Sequence, residues 1–481
     1  MASSQKLTEY ELKRLENIRR NDQMMAALKL HSKATELSAS SKRQRVATKA
    51  YKVTPEKKQE TEAPVVIRRS LRTRGMPPDY ADSKGLDDTV EASAKVAKSS
   101  TASKPSPRDL GPLSVRDAYC GTGSDKVIIE RILGVSKIPH KEFGVENGWG
   151  LKRSLDDSGS CLELGSLSLN EENIARVVPG RIMNVRFIPC SDRRIIVVGN
   201  KFGNVGFWDV DSSVQGEDGI HLYHPHPGPV SGISIQKQSL PKIFTSCYDG
   251  FIRVMDPQKE VFDLVYSSDD TIYSLSQRQD DMQCLYFSEG PGGLNIWDDR
   301  AGKCSTQWNL HGSRINSIDF NSENSNLMAT SSSDGTASIW DLRRIPADQP
   351  NPLKEVSHKR AVHSAYFSPS GRSLVTTSMD DTVGVVSGAN FGETSMIKHD
   401  NQTGRWISSF RAIWGWDDSY VFIGNMKRGV DVISPAQRRT IFTLQSPHMS
   451  AIPCRFDADP YNIGTLAGAT SGGQVYMWTL G

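Results

Sequence analysis

The chain has 481 residues and a net charge of +3, and its charges are unevenly distributed. Residues 1–110 hold 23 lysines and arginines against 14 acidic residues, which gives +9, whereas the rest of the chain carries −6. A basic tail on a near-neutral or acidic body suggests contact with polyanions, usually nucleic acid, although a merely soluble disordered tail has the same composition. A chain of this length can bury a large core, and it has no run of about 18 apolar residues that would span a membrane.

The seven cysteines are scattered without the paired spacing of a metal site: Cys120, Cys161, Cys190, Cys247, Cys284, Cys304 and Cys454. An odd number without a disulfide framework fits a reducing compartment, and no signal peptide is visible. We therefore expect a soluble intracellular protein with no metal and no other cofactor.

Residues 1–31 are predicted to contain an amphipathic helix. Residues 8–11 (Thr-Glu-Tyr-Glu) form a capping box at its start. Apolar residues then recur at roughly helical spacing: Leu12, Leu15, Ile18, Met25 and Leu28. The stripe breaks at Asp22, so a partner-binding helix and a nascent helix in a tail are both open interpretations.

Residues 32–110 are predicted to be a disordered basic linker, because Lys, Ser, Ala, Thr and Pro dominate and aromatic residues are almost absent. Two basic clusters lie within it. The first resembles a nuclear import signal and consists of Lys42, Arg43 and Arg45. The arginines of residues 67–75 fit phosphate or an acidic surface. Residues 111–160 are a mixed lead-in segment, in which residues 125–133 predict a short helix.

Residues 161–481 contain a unit that recurs seven times. Equivalent positions near the end of each unit's third strand are Trp208, Met255, Trp297, Trp340, Val385, Val432 and Trp478. Successive positions are 47, 42, 43, 45, 47 and 46 residues apart, close to the ~40–45 residues of one four-stranded propeller blade. Tight turns such as Asp249-Gly250 join the predicted strands.

The clearest copy, residues 309–344, resembles one blade of a WD-repeat β-propeller. It has His311-Gly312 at its start, an Asp334-Gly335 turn and a final Trp340-Asp341. In such blades, the resemblance implies a hydrogen-bonded chain through the side chains of His311, Ser332, Asp334 and Trp340. A buried Trp N–H and a buried carboxylate both need partners, which gives this chain its physical reason.

We therefore predict an all-β fold, a seven-bladed WD-repeat β-propeller. A long, mostly disordered basic N-terminal extension with a short helix precedes it. The chain ends directly after a third strand, so the last blade lacks an outer strand. Residues 161–168 are predicted to supply that strand, which would leave no exposed sheet edge there.

No catalytic constellation emerges from the sequence, since the blade hydrogen-bond chain explains the histidines and the turn aspartates. We expect a monomeric, non-enzymatic protein. Propellers usually serve as rigid platforms whose function lies in loops and rims.

A set of basic residues recurs at similar strand-connecting positions of different blades: Arg181, Lys201, Arg314, Lys359, Arg360, Lys427 and Arg428. Equivalent positions in successive blades come to one face of a propeller. The sequence therefore predicts a ring of positive charge that would follow a nucleic-acid backbone, with a solvated surface as the alternative.

The connection around residues 399–406 carries a second candidate group, Gln402, Arg405 and Trp406, just before a predicted strand at residues 407–413. A large aromatic beside Arg at a loop tip suits stacking on bases or wedging between them, with Arg on phosphate. The alternative is that Trp406 packs under the loop as part of the core.

Two blades end in a W-D-x-R sequence that resembles the motif by which WD-repeat substrate receptors dock on the large adaptor subunit of cullin-4 ubiquitin ligases. The residues are Trp297, Asp298 and Arg300 in one blade and Trp340, Asp341 and Arg343 in the next. An Arg at this place offers a planar donor fork to an interface carboxylate or carbonyl. The alternative is a solvated arginine.

Together these features resemble the WD repeat-containing protein 76 family, whose fungal members are called DNA damage-binding protein Cmr1. The resemblance covers the propeller and the N-terminal residues 9–18. A more distant cousin is the small subunit of the UV-damaged-DNA-binding complex. This cousin implies that the segment ending at Lys201 and the residues Arg314 and Arg360 contact DNA. It also implies that residues 402–406 take the place of a base-inserting hairpin, although the inserting residues themselves are not matched.

The resemblance implies a nuclear protein that binds chromatin and duplex DNA, damaged or intact, in genome maintenance. The alternatives are a substrate receptor of a cullin-4 ligase and a scaffold that binds histones or other peptides without a direct DNA role. A basic face favours DNA, and an acidic or aromatic-lined channel favours peptides.

Overall fold

The structure is a computed structural model that describes Arg19 and residues 106–135, 164–212, 218–236, 242–346 and 350–481. The predicted N-terminal helix apart from Arg19, the linker up to residue 105 and the nuclear import residues Lys42, Arg43 and Arg45 lie outside the described residues. No helix within the described ranges is both long and apolar enough to cross a membrane.

Seven antiparallel sheets form the blades of a closed β-propeller. The innermost strand of each blade packs against that of the next blade, and the innermost strand of blade 7 packs against that of blade 1. All seven predicted reference positions lie in the third strands of their blades. The predicted seven-bladed propeller is therefore confirmed.

Before the first blade, the chain forms β1 (Leu113–Ser114), α1 (Val115–Ala118), α2 (Val127–Val135), β2 (Leu167–Ser168) and β3 (Ile174–Arg176). Blades 1 and 2 run from the inner to the outer strand as β4 (Ile182–Phe187), β5 (Ile195–Asn200), β6 (Val205–Asp209), β7 (Ile220–Tyr223), β8 (Val230–Ile235), β9 (Ile243–Cys247), β10 (Phe251–Asp256) and β11 (Val261–Ser267). Blades 3 and 4 are β12 (Ile272–Gln277), β13 (Cys284–Glu289), β14 (Gly293–Asp298), β15 (Lys303–Asn309), β16 (Ile315–Phe320), β17 (Leu327–Ser332), β18 (Thr336–Asp341) and β19 (Lys354–Ser357).

Blades 5 to 7 follow the same plan as β20 (Val362–Phe367), β21 (Leu374–Ser378), β22 (Thr382–Ser387), β23 (Glu393–Lys398), β24 (Ile413–Trp414), β25 (Val421–Asn425), β26 (Gly429–Ser434), β27 (Arg439–Leu444), β28 (Pro453–Ala458), β29 (Leu466–Thr470) and β30 (Gln474–Leu480). Short 3-10 turns lie at Leu164–Ser166, Glu171–Asn173, Leu342–Arg344 and Ala389–Phe391.

The burial of each strand follows its place in the blade. Second strands such as β5 and β21 are buried along their whole length, because each sheet packs between two neighbouring sheets. Outer strands such as β15 and β23 are largely exposed. Second strands therefore combine apolar residues with buried threonines and serines, as in β17 and β21.

The hydrogen-bond chain of blade 4 runs through a threonine that the sequence prediction missed. His311 bonds Asp334 through Nδ1 (3.1 Å) and Thr330 through Nε2 (2.7 Å), and the indole N–H of Trp340 donates to the same Thr330 hydroxyl at 2.8 Å. The prediction placed Ser332 in this chain, but the hydroxyl that joins the two rings belongs to Thr330. Ser332 lies at the end of β17, where its hydroxyl accepts from the Asp334 N–H at 3.2 Å and so supports the turn.

The outer strand of blade 7 comes from the predicted side of the chain but extends beyond residues 161–168. Strand β2 pairs with the end of β30, with Leu167 opposite Leu480. Strand β3 pairs with its start, with Ile174 opposite Tyr476. The two segments together close the ring.

The described part of the lead-in segment, residues 111–135, packs on the propeller. Strand β1 adds a fifth strand to blade 2 by pairing with β11, and helix α2 confirms the predicted short helix. Its side chains Ile128, Ile129 and Ile132 are buried in one cluster with residues of blades 1 and 2. The fully buried guanidinium of Arg253 in blade 2 donates to the main-chain carbonyl of Gly111 and to those of Pro107 and Asp109, which are among the last residues of the predicted linker.

Candidate nucleic-acid interface

All of the basic and aromatic residues predicted to bind nucleic acid lie on one face of the propeller. We define the upper face by the connections between blades and by the turns between second and third strands, and the lower face by the remaining turns. Arg181, Arg314 and the Lys359-Arg360 pair precede inner strands, whereas Lys201 and the Lys427-Arg428 pair lie in second-to-third-strand turns. Strand topology alone therefore brings them together.

A long connection between blades 5 and 6, residues 399–412, extends over the upper face; we call it the crossing loop. Its first part is held to blade 5, where the Asn401 amide donates to the Ser378 carbonyl at 2.8 Å. Its last part reaches other blades. The Ser408 hydroxyl donates to the Ile182 carbonyl of blade 1 at 3.0 Å, and the Ser408 N–H donates to the hydroxyl of Ser471 in blade 7 at 3.0 Å.

These contacts explain why the predicted strand at residues 407–413 is wrong. The inner strand of blade 6 is only Ile413–Trp414, because the residues before it bond to blades 1 and 7 instead of extending the sheet. Phe410 fills the space beneath the loop and is fully buried. The crossing loop is therefore fixed at both ends.

The tip of the crossing loop presents its largest side chain to solvent. Gly404 has φ +63 and turns the chain at the tip. Trp406 is 83% exposed, so it is not part of the core. The Arg181 guanidinium donates to the Arg405 carbonyl at 2.8 Å and holds the tip against blade 1. An indole left in water at a fixed position is an unusual use of apolar surface in a soluble protein.

The basic residues predicted on the upper face form no ion pair within the described part of the chain. Among the described residues, none of the eight predicted basic side chains has a carboxylate oxygen within 4.0 Å; they are Arg181, Lys201, Arg314, Lys359, Arg360, Arg405, Lys427 and Arg428. Some arginines of the lower face pair with nearby aspartates, as Arg194 does with Asp211 and Arg278 with Asp280. The upper face thus keeps its positive charge available.

Several of these side chains are held in position by neutral partners. The Arg314 Nε–H donates to the Ser333 hydroxyl at 3.0 Å, and its guanidinium lies 5.4 Å from the ring centre of Tyr273. Arg360 donates to the Gln402 side-chain oxygen at 3.4 Å. Gln402 itself donates to the Met379 carbonyl at 2.7 Å, so its amide holds the loop in place.

The positive charge forms an arc rather than the predicted ring. Basic residues come from blades 4, 5, 6 and 1, where Asp334, Asp380, Asp381 and Asp400 lie among them, whereas the upper-face loops of blades 2 and 3 carry Asp249, Asp269 and Asp270 and no basic residue. Arg108, near the end of the predicted linker, lies 3.7 Å from Asp249. The basic side chains of these loops therefore all lie on one side of the upper face.

Sequence reasoning missed two apolar side chains beside this arc. Phe202 is half exposed in the turn after β5, with the Lys201 ammonium 4.7 Å from its ring centre. Met426 is exposed in the corresponding turn of blade 6. In both cases the sequence places a large apolar residue, Phe202 or Met426, inside a tight polar turn, and this pattern could have predicted an exposed apolar side chain.

The two W-D-x-R motifs lie on the lower face, away from the basic arc. Trp340 is buried, and Trp297 is partly buried. Arg343 donates from Nε and Nη2 to the two Asp341 oxygens at 2.9 Å each, and this bidentate bond lowers the pKa of the Asp341 carboxyl. Arg300 lies 3.6 Å from Asp298. Both arginine side chains are more than half exposed, at 70% and 61%.

No group of three or more His, Cys, Asp or Glu side chains in the described part of the chain is arranged to hold a metal ion. The buried blade histidines are used within the blades. Burial lowers the pKa of His226 to about 3, and its ring bonds the Thr245 hydroxyl at 2.7 Å.

Comparison with known proteins agrees with this architecture. Residues 302–341 and 351–386 match the family model described as WD domain, G-beta repeat. The chain is 28% identical to WD repeat-containing protein 76 of Xenopus laevis, over 98% of this chain and 80% of that protein. It is 26% identical to DNA damage-binding protein cmr1 of Aspergillus clavatus, over 99% of both chains, and 28% identical to the protein of the same name from Neurospora crassa, over 98% of both.

The WD-repeat match and the names of these relatives point to a non-catalytic scaffold. The resemblance to WD repeat-containing protein 76 and Cmr1 that was inferred from the sequence is thereby confirmed, and it extends over most of the chain.

Proposed function

We propose that this chain binds duplex DNA in the nucleus through the basic arc of its upper face, in a role related to DNA damage. The observation that carries the proposal is the fixed, solvent-exposed Trp406 at the tip of the crossing loop, next to cations without carboxylate partners. The names of the fungal relatives, DNA damage-binding protein cmr1, support the same substrate.

Each part of the arc has a physical task in this proposal. The arginines and lysines neutralise phosphates and release counterions, which supplies most of the affinity. Trp406 stacks on a base or wedges into a base step from the minor groove. Because the tip is anchored by Ser408 and Arg181, little order has to be gained on binding. Duplex binding does not require base flipping, for which residues 403–406 lack the cousin's inserting side chains.

The basic N-terminal region adds affinity without adding specificity. Its charge of +9 lies upstream of residue 111. A tethered basic segment raises the local concentration of cations near DNA, so deletion of residues 1–105 should weaken binding and reduce its salt dependence.

A salt titration of a short fluorescent duplex, followed by anisotropy, tests the proposal. The variant Lys201→Glu, Arg405→Glu, Trp406→Ala should bind at least tenfold more weakly. The slope of log K against log salt should fall by about 2, because each phosphate that a side chain no longer neutralises lowers it by roughly 0.9. The matched control Lys303→Glu, Arg372→Glu, Tyr461→Ala makes the same charge change on or beside the lower face, at exposed residues. If both variants bind like the parent, the upper face is not the DNA site.

A second candidate function rests on the lower face. We propose that the exposed Arg300 and Arg343 dock the chain on the large adaptor of a cullin-4 ligase, since both W-D-x-R motifs lie away from the basic arc. In a pull-down, the variant Arg300→Ala, Arg343→Ala should recover less of the adaptor than the parent does, and its affinity for DNA should be unchanged. Undiminished recovery of the adaptor would remove this proposal.

A further inference from the structure

Two large aromatic side chains are exposed on the upper face. Phe202, in the turn between β5 and β6 of blade 1, is 50% exposed, and Trp406 at the tip of the crossing loop is 83% exposed. Among the described residues, no other Phe or Trp side chain is exposed. Each of the two directly follows a cation in the chain, Lys201 or Arg405. The turn and the crossing loop therefore present the same combination, a cation beside an aromatic ring.

The turn that carries Phe202 is fixed by hydrogen bonds. The buried Asn200 side-chain oxygen accepts from the Phe202 N–H and from the Asn204 N–H, at 2.9 Å each. The Phe202 carbonyl accepts from His224 Nε2 at 3.0 Å. Gly180 packs against the ring, since a Cβ there would lie 2.8 Å from the ring atom Cε2. The ring is therefore held in place, and its exposed half is open to a ligand.

Arg181 joins this turn to the tip of the crossing loop. Its main-chain carbonyl accepts from the Lys201 N–H at 2.9 Å, and its guanidinium donates to the Arg405 carbonyl at 2.8 Å. Phe202 and Trp406 each follow directly after one end of this link. The two rings therefore belong to one rigid frame, and their main chains are separated by roughly the length of one arginine side chain.

Two rings in one frame make a demand on DNA that a single ring does not. In an intact duplex, each base face is covered by a neighbour about 3.4 Å away along the strand, and opening a base step costs free energy. Trp406 alone opens one step, whereas a second ring stacks only if a second position is opened as well. Where bases are already unpaired, this cost is absent, and stacking on an aromatic side chain strengthens binding by at least about fivefold per base.

We propose that Phe202 and Trp406 together form a stacking site for two unpaired bases, so that the chain prefers DNA with a short mismatched or single-stranded stretch to fully paired duplex. This inference rests on the proposed function and names the substrate class of the same surface. Lys201 and Arg405 then neutralise the phosphates beside the two stacked bases.

Anisotropy titrations of the full-length protein test the inference with two probes, a fully paired duplex and the same duplex with a two-nucleotide mismatched bubble at its centre. The parent should bind the bubble probe at least about tenfold more tightly. A 2-aminopurine at an unpaired position gives a direct readout, because its fluorescence falls when the base stacks on a ring.

Phe202→Ala should weaken binding to the bubble probe by about fivefold or more and leave binding to the paired duplex unchanged, because the cations remain. Phe202→Tyr keeps a ring and should keep the preference and the 2-aminopurine quenching. Leu353→Ala is the matched control, since Leu353 is 51% exposed and lies between the third and fourth strands of blade 4, on the lower face.

Three outcomes count against the inference in different ways. Equal affinity of the parent for both probes, or an undiminished bubble preference in Phe202→Ala, would overturn it and leave duplex binding by the basic arc in place. Equal weakening of both probes by Phe202→Ala would show that Phe202 only supports its turn, and would also overturn it. Absence of binding to either probe would instead refute the proposed function itself, and this inference with it.

Discussion

Replacing Ile132 by alanine tests whether the lead-in segment belongs to the same cooperative unit as the blades. Ile132 lies on helix α2, is fully buried, and packs in one cluster with residues such as Phe207 and Tyr223 of blade 1. The lead-in is also tied to blade 2 through Arg253 and the pairing of β1 with β11. We propose that the folded unit begins near residue 106, well before the first blade strand.

The size of the effect follows from the burial of the side chain. Truncating a fully buried isoleucine to alanine costs about 2–5 kcal/mol, through the forfeited transfer energy and the cavity left behind. For a folded unit of this length, that corresponds to a fall in Tm of about 3–6 °C. If the lead-in instead detached before the blades unfolded, Ile132→Ala would leave the Tm of the blades unchanged. It would then lower only the free energy needed to detach the lead-in.

Thermal unfolding followed by circular dichroism measures this shift, and Glu130→Ala is the matched control. Glu130 is on the same helix but exposed, so its replacement should change stability by less than about 0.5 kcal/mol. Limited proteolysis adds a local readout, because an undocked lead-in would be cut before the blades. Equal Tm values for Ile132→Ala and Glu130→Ala would show that the lead-in does not support the propeller.

Three further predictions concern particular residues. Gly473→Ala should lower the free energy of unfolding by more than about 3 kcal/mol, because a Cβ there would lie 1.9 Å from the Val178 carbonyl oxygen. Gly302 has φ +61 and free space around it, so Gly302→Ala should lower the free energy of unfolding by only about 1–2 kcal/mol. Denaturant unfolding measures both changes. Burial lowers the pKa of His226 to about 3 in the folded protein, whereas in the unfolded chain its pKa is near 6.5. The unfolded chain therefore binds a proton that the folded protein does not, and the free energy of unfolding falls as the pH falls below 6.5. Between pH 7.5 and pH 5.5, the free energy of unfolding of His226→Gln should therefore fall by about 1.4 kcal/mol less than that of the parent. Alanines at Lys42, Arg43 and Arg45 should abolish nuclear accumulation of a fluorescent fusion, and unchanged accumulation would exclude this import signal.

The repeat architecture could be predicted because it depends on local patterns. Each third strand has a large apolar residue near its end at a regular interval, and several of the turns carry Asp-Gly or Gly-Gly signals. The gathering of Arg181, Arg314 and Lys427 on one face follows from the same regularity, since similar places in each blade reach the same side.

Features that depend on contacts between distant residues could not be predicted. Whether Trp406 is exposed depends on Ser408 reaching Ile182, which is 226 residues away in the chain. Those contacts also turn the predicted strand at 407–413 into a loop. The assignment of Ser332 failed for a related reason: Thr330 and Ser332 lie on the same side of β17, and only the packing shows that Thr330 reaches both His311 and Trp340.

The two proposed interfaces place their partners on opposite sides of a rigid body. Strands run from one face to the other, so residues before an inner strand and residues after a third strand are separated by the full length of a strand. In blade 4, Arg314 is on the upper face and Arg343 on the lower face. Six strand residues span about 20 Å, which is longer than the Debye length in physiological salt. DNA on the arc and an adaptor on the lower face would therefore neither collide nor compete through charge, and each should bind with the same affinity whether or not the other is present.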